Sequence, residues 1–186
     1  MMTGDTRERI MAAARLTVQD RGYSGLSFRE LAKDVGIKSA SIHHYFPTKG
    51  ELGGALAERY RTDFKEYLDG LLAEGLDQTT CMRKYTDVFG ETVRNDNRMC
   101  LAGIMAAEHK ELPEEVRAAV VRFGEMNVDW IARVLSLGSK NEDAVQRRAL
   151  AIFAAVQGAQ LVARSRGNAT VYDEIVQTYR EGGLLP

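Results

Sequence analysis

Proline is scarce in this 186-residue chain, at three residues, and cysteine scarcer, at two. Few prolines leave long stretches free for helix, since each would remove a backbone donor and break a helical turn. Cys81 and Cys100 cannot build a disulfide framework or a four-cysteine zinc site. No apolar run approaches the roughly 18 residues of a membrane span, which excludes an integral membrane protein. Met1-Met2-Thr3-Gly4-Asp5 lacks the basic-then-apolar pattern of a secretory leader, so a cytoplasmic protein is expected. Phosphate-binding glycine loops and metal-ligand spacings are absent too, and neither cofactor nor metal is expected.

What is present is an ordinary globular balance, 45% apolar and 27% charged, with a formal net charge of −1. That near-neutral total hides an asymmetry. Residues 1–50 carry 8 Lys and Arg against 5 Asp and Glu, which leaves 17 against 21 for residues 51–186. A basic N-terminal quarter on an acidic body suggests an anion-binding module joined to something else.

Apolar spacing predicts an all-α chain of about nine helices. The first covers about Thr6 to Asp20, with Ile10, Ala13, Ala14, Thr17 and Val18 on one face and Gly22 as its stop. A short second helix begins at Ser27, where Ser27-Phe28-Arg29-Glu30 has the form of a capping box, and ends at Gly36. The third starts near Lys38 or Ser39 and ends at Phe46, because Pro47 disfavours helical geometry in the residue before it. Two short helices joined by a glycine-containing turn make a helix-turn-helix. Thr48 caps a long helix from Lys49 to Glu74, with Leu52, Leu56, Tyr60, Phe64, Tyr67 and Leu71 inward. Further helices are expected over about 79–95, 100–109, 113–137, 141–165 and 171–180. Val116, Val120, Phe123, Asn127, Trp130, Val134 and Leu137 follow a strict 4-3-4-3 rhythm.

The third helix presents small residues at its start and a basic, aromatic end. Ile42 and Phe46 can pin it to its neighbours, which leaves Ser39, Ala40 and His43 on the other side. Such a face can enter a DNA major groove, where Ser and His bond base edges and Ala meets a thymine methyl. Tyr45, Thr48 and Lys49 suit phosphate oxygens. On charge and spacing alone, a solvated helical hairpin remains an equal alternative.

From Leu26 to Ile37, and from Ser41 through His43-His44-Tyr45-Phe46-Pro47-Thr48-Lys49 to Leu52, the chain resembles the N-terminal domain of TetR-family transcriptional regulators. The usual wording there is close to T-x-x-x-I-A-x-x-A-G-V-S-x-x-x-L-Y-x-H-F-x-x-K-x-x-L. The resemblance covers about residues 6–55. It implies a DNA-binding head over 1–48, a ligand-binding and dimerisation body over 49–186, and a homodimer on a palindromic double-stranded operator. By position, Ser39, Ala40 and His43 would approach base edges, Ser27, His44, Tyr45 and Lys49 would hold phosphates, and Arg29 could reach a base. Lys38, Ser41 and Thr48 complete the candidate DNA-binding set. The common tyrosine and histidine have traded places as His43 and Tyr45, which leaves the base contacts open. Adjacent helical histidines diverge by about 100° and do not share a metal ion.

The body is less specific. Ala144, Ala149, Ala151, Ala154, Ala155, Gly158, Ala159 and Ala163 line the helix from Asn141, as a close helix–helix interface needs; a buried intramolecular helix would look the same. Asn127 is the best polar candidate for a small-molecule inducer pocket, beside Phe89, Met105, Phe123 and Trp130, with Gln157 as a second polar group. A satisfied core amide within plain core is the competing reading. Cys100 opens a helix two residues after Arg98, and the stretch resembles a TetR subgroup whose cysteine senses electrophiles or oxidants; an inert buried thiol is the alternative.

The function expected is a ligand-responsive repressor. The alternative is a helical interaction protein that has lost specific DNA binding. An enzyme is excluded on spacing: Cys100 and His109 lie nine residues apart, about 2.5 helical turns, on opposite sides of one helix.

Overall fold

The computed structural model describes residues 3–138 and 141–186, with side chains from Asp5 onward; Met1 and Met2 of the leader reading lie outside them. Among the described residues the chain forms nine α-helices, with no strand. They are α1 (Thr3–Arg21), α2 (Phe28–Val35), α3 (Ser39–Tyr45), α4 (Lys49–Ala73), α5 (Gln78–Arg94), α6 (Leu101–Ala107), α7 (Glu114–Ser136), α8 (Glu142–Ser165) and α9 (Ala169–Glu181). A 3-10 turn over His109–Glu111 precedes α7. Two compact units result, one of Met1–Arg61 with Leu101–Phe123, the other of Thr62–Cys100 with Gly124–Pro186.

In the first unit, α1 packs on α2 and α2 on α3. Ile10, Ala14 and Val18 face inward from α1, Leu31 and Val35 from α2, and Ile42 from α3, followed by Phe46. Burying each larger aliphatic chain is worth about 1.5–3 kcal/mol. The Arg9 guanidinium bonds the Val35 carbonyl at the end of α2, and Arg7 lies 5.0 Å over the Phe46 ring. Gly36 ends α2 in the left-handed region at φ 73°, where its N–H reaches back to the last turn. Thr48 caps α4 as expected, its hydroxyl accepting from the Glu51 N–H at 3.0 Å.

Three local expectations are corrected. Ser27 stands at the N-cap of α2 without a side-chain capping bond; Glu30 instead takes Lys33 at 3.0 Å. Tyr67 is 40% exposed and Leu68 is wholly buried in its stead; both stand at helical spacing from Phe64 and Leu71, so spacing alone did not separate them. Leu137 is 62% exposed, since α7 stops at Ser136 and the chain turns through Leu137 N–H to Val134 O at 3.2 Å.

In the second unit α8 packs on α9, and both pack on α5. Tyr85 and Phe89 of α5, Trp130 of α7, Ile152 and Val156 of α8, and Tyr172 and Val176 of α9 are buried. Asn141 caps α8 through the Ala144 N–H at 3.1 Å. The buried Thr86 is partnered from α9. The Tyr172 hydroxyl donates to Thr86 O at 2.7 Å, and Arg180 donates to the Thr86 hydroxyl at 2.8 Å.

Candidate nucleic-acid interface

All eleven candidate DNA-binding residues fall in the first unit, on α2, α3, the start of α4 and the residues just before each. Ile42 and Phe46 are buried, so α3 is held by one side and turns the other out. Arg29, Lys38, Ser39, Ala40, His43, His44 and Thr48 are exposed, while Ser27, Ser41, Tyr45 and Lys49 are half-buried. Ser39 and Ala40 form the first turn of α3 with no bulk to keep its backbone away from an approaching surface.

His43 is held rather than free. Its ring meets Phe28 edge-on at 4.9 Å, and Nδ1 lies 3.3 Å from the Pro47 carbonyl oxygen. A carbonyl only accepts, so Nδ1 carries the hydrogen and Nε2 is left for an external partner. His44 and Tyr45 meet edge-on at 5.3 Å. The residue exchange seen in the sequence therefore places an imidazole where it is fixed by Phe28, with the phenol against His44.

Lys49 has an intramolecular role that spacing did not reveal. Its ammonium donates to Ser24 O at 3.2 Å and lies 4.6 Å over the Tyr23 ring. Burial pulls its pKa below the ordinary lysine value, while the Glu108 carboxylate pushes it the other way. Tyr23 and Glu108 carried no local signal, because 85 residues separate the partners.

The residues expected to line a pocket divide between the two units. Met105 and Phe123 belong to the first, where Phe123 stacks on Tyr60 at 5.3 Å. Phe89, Asn127, Trp130 and Gln157 belong to the second. Three of these share one cluster. Tyr85 donates to Asn127 Oδ1 at 2.9 Å and stacks on Trp130 at 5.5 Å, and its ring lies 5.1 Å from that of Phe89. The Trp130 indole donates to Leu68 O at 2.8 Å. Both amide atoms of Gln157 are buried without a partner. Gln160, which the sequence reading passed over, bridges Phe89 O at 2.8 Å and the Cys100 N–H at 3.1 Å. Cys100 is wholly buried. None of the expected pocket residues lines the open groove of about 510 Å³ formed by Gly124, Glu125, Val128, Asp129, Gln146, Leu150 and Phe153.

The face is that of a helix-turn-helix, with small residues opening its second helix and Arg29 and Lys38 exposed beside it. Residues 10–56 match the family described as bacterial regulatory proteins, tetR family. Over 96% of its length the chain superposes on a TetR transcriptional regulator from Legionella pneumophila, with a TM-score of 0.87, 30% identity and 99% of that chain covered. A TetR-family regulator from Agrobacterium tumefaciens gives 0.88 at 27% identity, covering 96% and 97% of the two chains. The HTH-type transcriptional repressor NemR of Escherichia coli K12 is 26% identical over 140 residues, 74% of this chain and 70% of NemR. The chain belongs to the TetR family of DNA-binding transcriptional regulators, which are not enzymes.

Proposed function

We propose that this protein is a repressor that binds a palindromic operator as a homodimer and leaves it when a small molecule occupies its body. The observation that carries the reading is the outward face of α3, with Ser39, Ala40 and His43 exposed opposite a buried Ile42. We assign residues 1–48 to DNA binding and 49–186 to ligand binding and dimerisation. Ser39, Ala40 and His43 approach base edges, with Arg29 able to reach one. Ser27, His44, Tyr45, Thr48 and Lys49 serve the phosphates, and Lys38 and Ser41 flank them.

The dimer contact is assigned to α8. Leu150 and Leu161 are 58% and 56% exposed, and Ala151, Ala154 and Gly158 lie exposed between them. A Cβ at Gly158 would meet nothing within 4 Å, so a second backbone can approach closely there. Twofold pairing of such faces sets two reading helices about one DNA turn apart, which is why the operator is a palindrome.

For the inducer, the Phe89, Asn127 and Trp130 cluster with the unpartnered Gln157 amide supports a ligand carrying both a donor and an acceptor on an apolar body. Cys100 is the proposed point of thiol modification, and its burial means that a reagent reaches it after local opening.

The test is a selection of duplexes from the source genome's own fragments, at two salt concentrations. Recovery of a palindrome that survives the higher salt is the expected result. Salt-sensitive binding without sequence preference would instead support the interaction-protein alternative.

A further inference from the structure

We infer that Glu108 is a positioning residue for DNA binding: its carboxylate holds the turn between α1 and α2 and thereby sets the α2–α3 reader. The inference rests on the DNA-binding reading above. Gly22, just after α1, has φ 77°, and the next two backbone N–H groups, of Tyr23 and Ser24, both donate to the Glu108 carboxylate. The Ser24 bond is 3.1 Å long. Charge-assisted bonds of this kind are the stronger sort, and two on one carboxylate fix direction as well as distance. Glycine at 22 is what admits it, because a Cβ there would stand 2.6 Å from Glu108 Oε2.

The same turn is held from another side by Lys49, through Ser24 O and the Tyr23 ring. Tyr23 O then accepts from Leu26 N–H at 3.0 Å, so the clamp leads directly into the start of α2. Glu108 itself follows α6, far along the chain, within the Leu101–Phe123 segment of the same unit. An acidic side chain in a unit that meets a polyanion lowers affinity by repulsion. Charge alone therefore predicts that removing Glu108 tightens binding to any DNA. A positioning role predicts weaker binding to the specific site only.

The experiment uses the full-length protein, the variants Glu108→Gln and Glu108→Asp, and fluorescence anisotropy over a series of salt concentrations. The probes are the duplex recovered by selection on the wild type and an unrelated duplex of equal length. Gln keeps one acceptor and loses the charge; Asp keeps the charge and falls a methylene short. Both variants are expected to lose about tenfold or more in affinity for the selected duplex. Affinity for the unrelated duplex should hold or rise, and the salt slope should stay the same, since the phosphates contacted are unchanged. Equal affinity for the selected duplex, equal tightening on both duplexes, or an equal loss on both with a lowered Tm each overturns the inference. So does failure of both variants to fold, which assigns Glu108 to stability alone. A wild type that recovers no duplex fails the DNA-binding reading itself, before any variant is compared.

Discussion

The Tyr85 hydroxyl donates to Asn127 Oδ1 at 2.9 Å, and neither residue is exposed at all. A polar pair in such surroundings is worth more intact than its parts are separately, since a stranded buried group keeps its full desolvation cost. Tyr85→Phe is therefore expected to lower the unfolding free energy by about 1–3 kcal/mol. In a double-mutant cycle with Asn127→Ala, read by urea denaturation, the coupling should be about 0.5–3 kcal/mol. Additive single effects would show that the pair does not act as a unit.

Two glycines of one helix should respond to alanine with opposite signs. A Cβ at Gly70 meets nothing within 4 Å, so Gly70→Ala should stabilise by up to about 1 kcal/mol through helix propensity. At Gly53 it would stand 2.6 Å from the Tyr23 ring and 3.0 Å from Val116. Tyr23 is buried, so Gly53→Ala should destabilise by about 1–3 kcal/mol. Thermal melts of the two variants decide it, and stabilisation by both would refute the close packing at Gly53.

Acid should expose the Glu58 network. Burial pushes its carboxyl up, but the Arg122 and Arg61 hydrogen bonds outweigh this and hold it below its ordinary 4.5. Arg61 donates to it at 2.9 Å. A folded-state pKa below the unfolded one contributes stability above about pH 4.5, lost as pH falls through the lowered value. Glu58→Gln should flatten the acid limb of the stability curve below that pH and leave its alkaline side unchanged in shape. Because the pair is partly exposed, the effect should shrink at high salt. Parallel curves for wild type and variant would count against it.

On DNA the two kinds of contact should separate. His43→Ala is expected to relax sequence preference at one base pair per half-site, at about 1–3 kcal/mol of discrimination. Lys49→Ala with Tyr45→Phe should weaken binding to every duplex alike and lower the salt slope by about 1. Anisotropy titrations on matched and single-mismatch duplexes distinguish the two. A change in preference from the second pair alone would reverse the assigned roles.

Oligomeric state tests the α8 face. Leu161→Glu places a charge where an exposed leucine stands beside Gly158, so the dimer should dissociate at least partly in sedimentation velocity while helicity persists. Gly158→Ala, with open space around it in the single chain, should leave the folded subunit intact and weaken only the pairing. Unchanged sedimentation for both would move the dimer contact elsewhere.

Short-range features were legible from residues alone. Thr48 caps α4 as expected, the helix expected from Asn141 begins there, and five of the seven residues in the α7 rhythm are buried. The opposition of Ile42 to Ser39, Ala40 and His43 on α3 could be read in the same way. Where several local solutions compete, spacing was a poorer guide. Ser27 and Glu30 had the form of a capping box, yet Lys33 lies one turn away on the same face and takes the carboxylate. Tyr67 and Leu68 both suit the inner side of α4, and only the neighbours of that side determine which of the two is buried.

The amino-acid order by itself determined the helices, the helix-turn-helix and the family, because capping, periodicity, a glycine stop and the motif itself act within short stretches of chain. Tertiary structure alone decided that Glu108 clamps Tyr23 and Ser24, that Tyr85 completes Asn127, and that Lys49 is braced within its own unit. Those partners lie 25 to 85 residues apart. Hydrogen-bond chemistry permits many such pairings, and only close packing brings one of them within 3 Å or so.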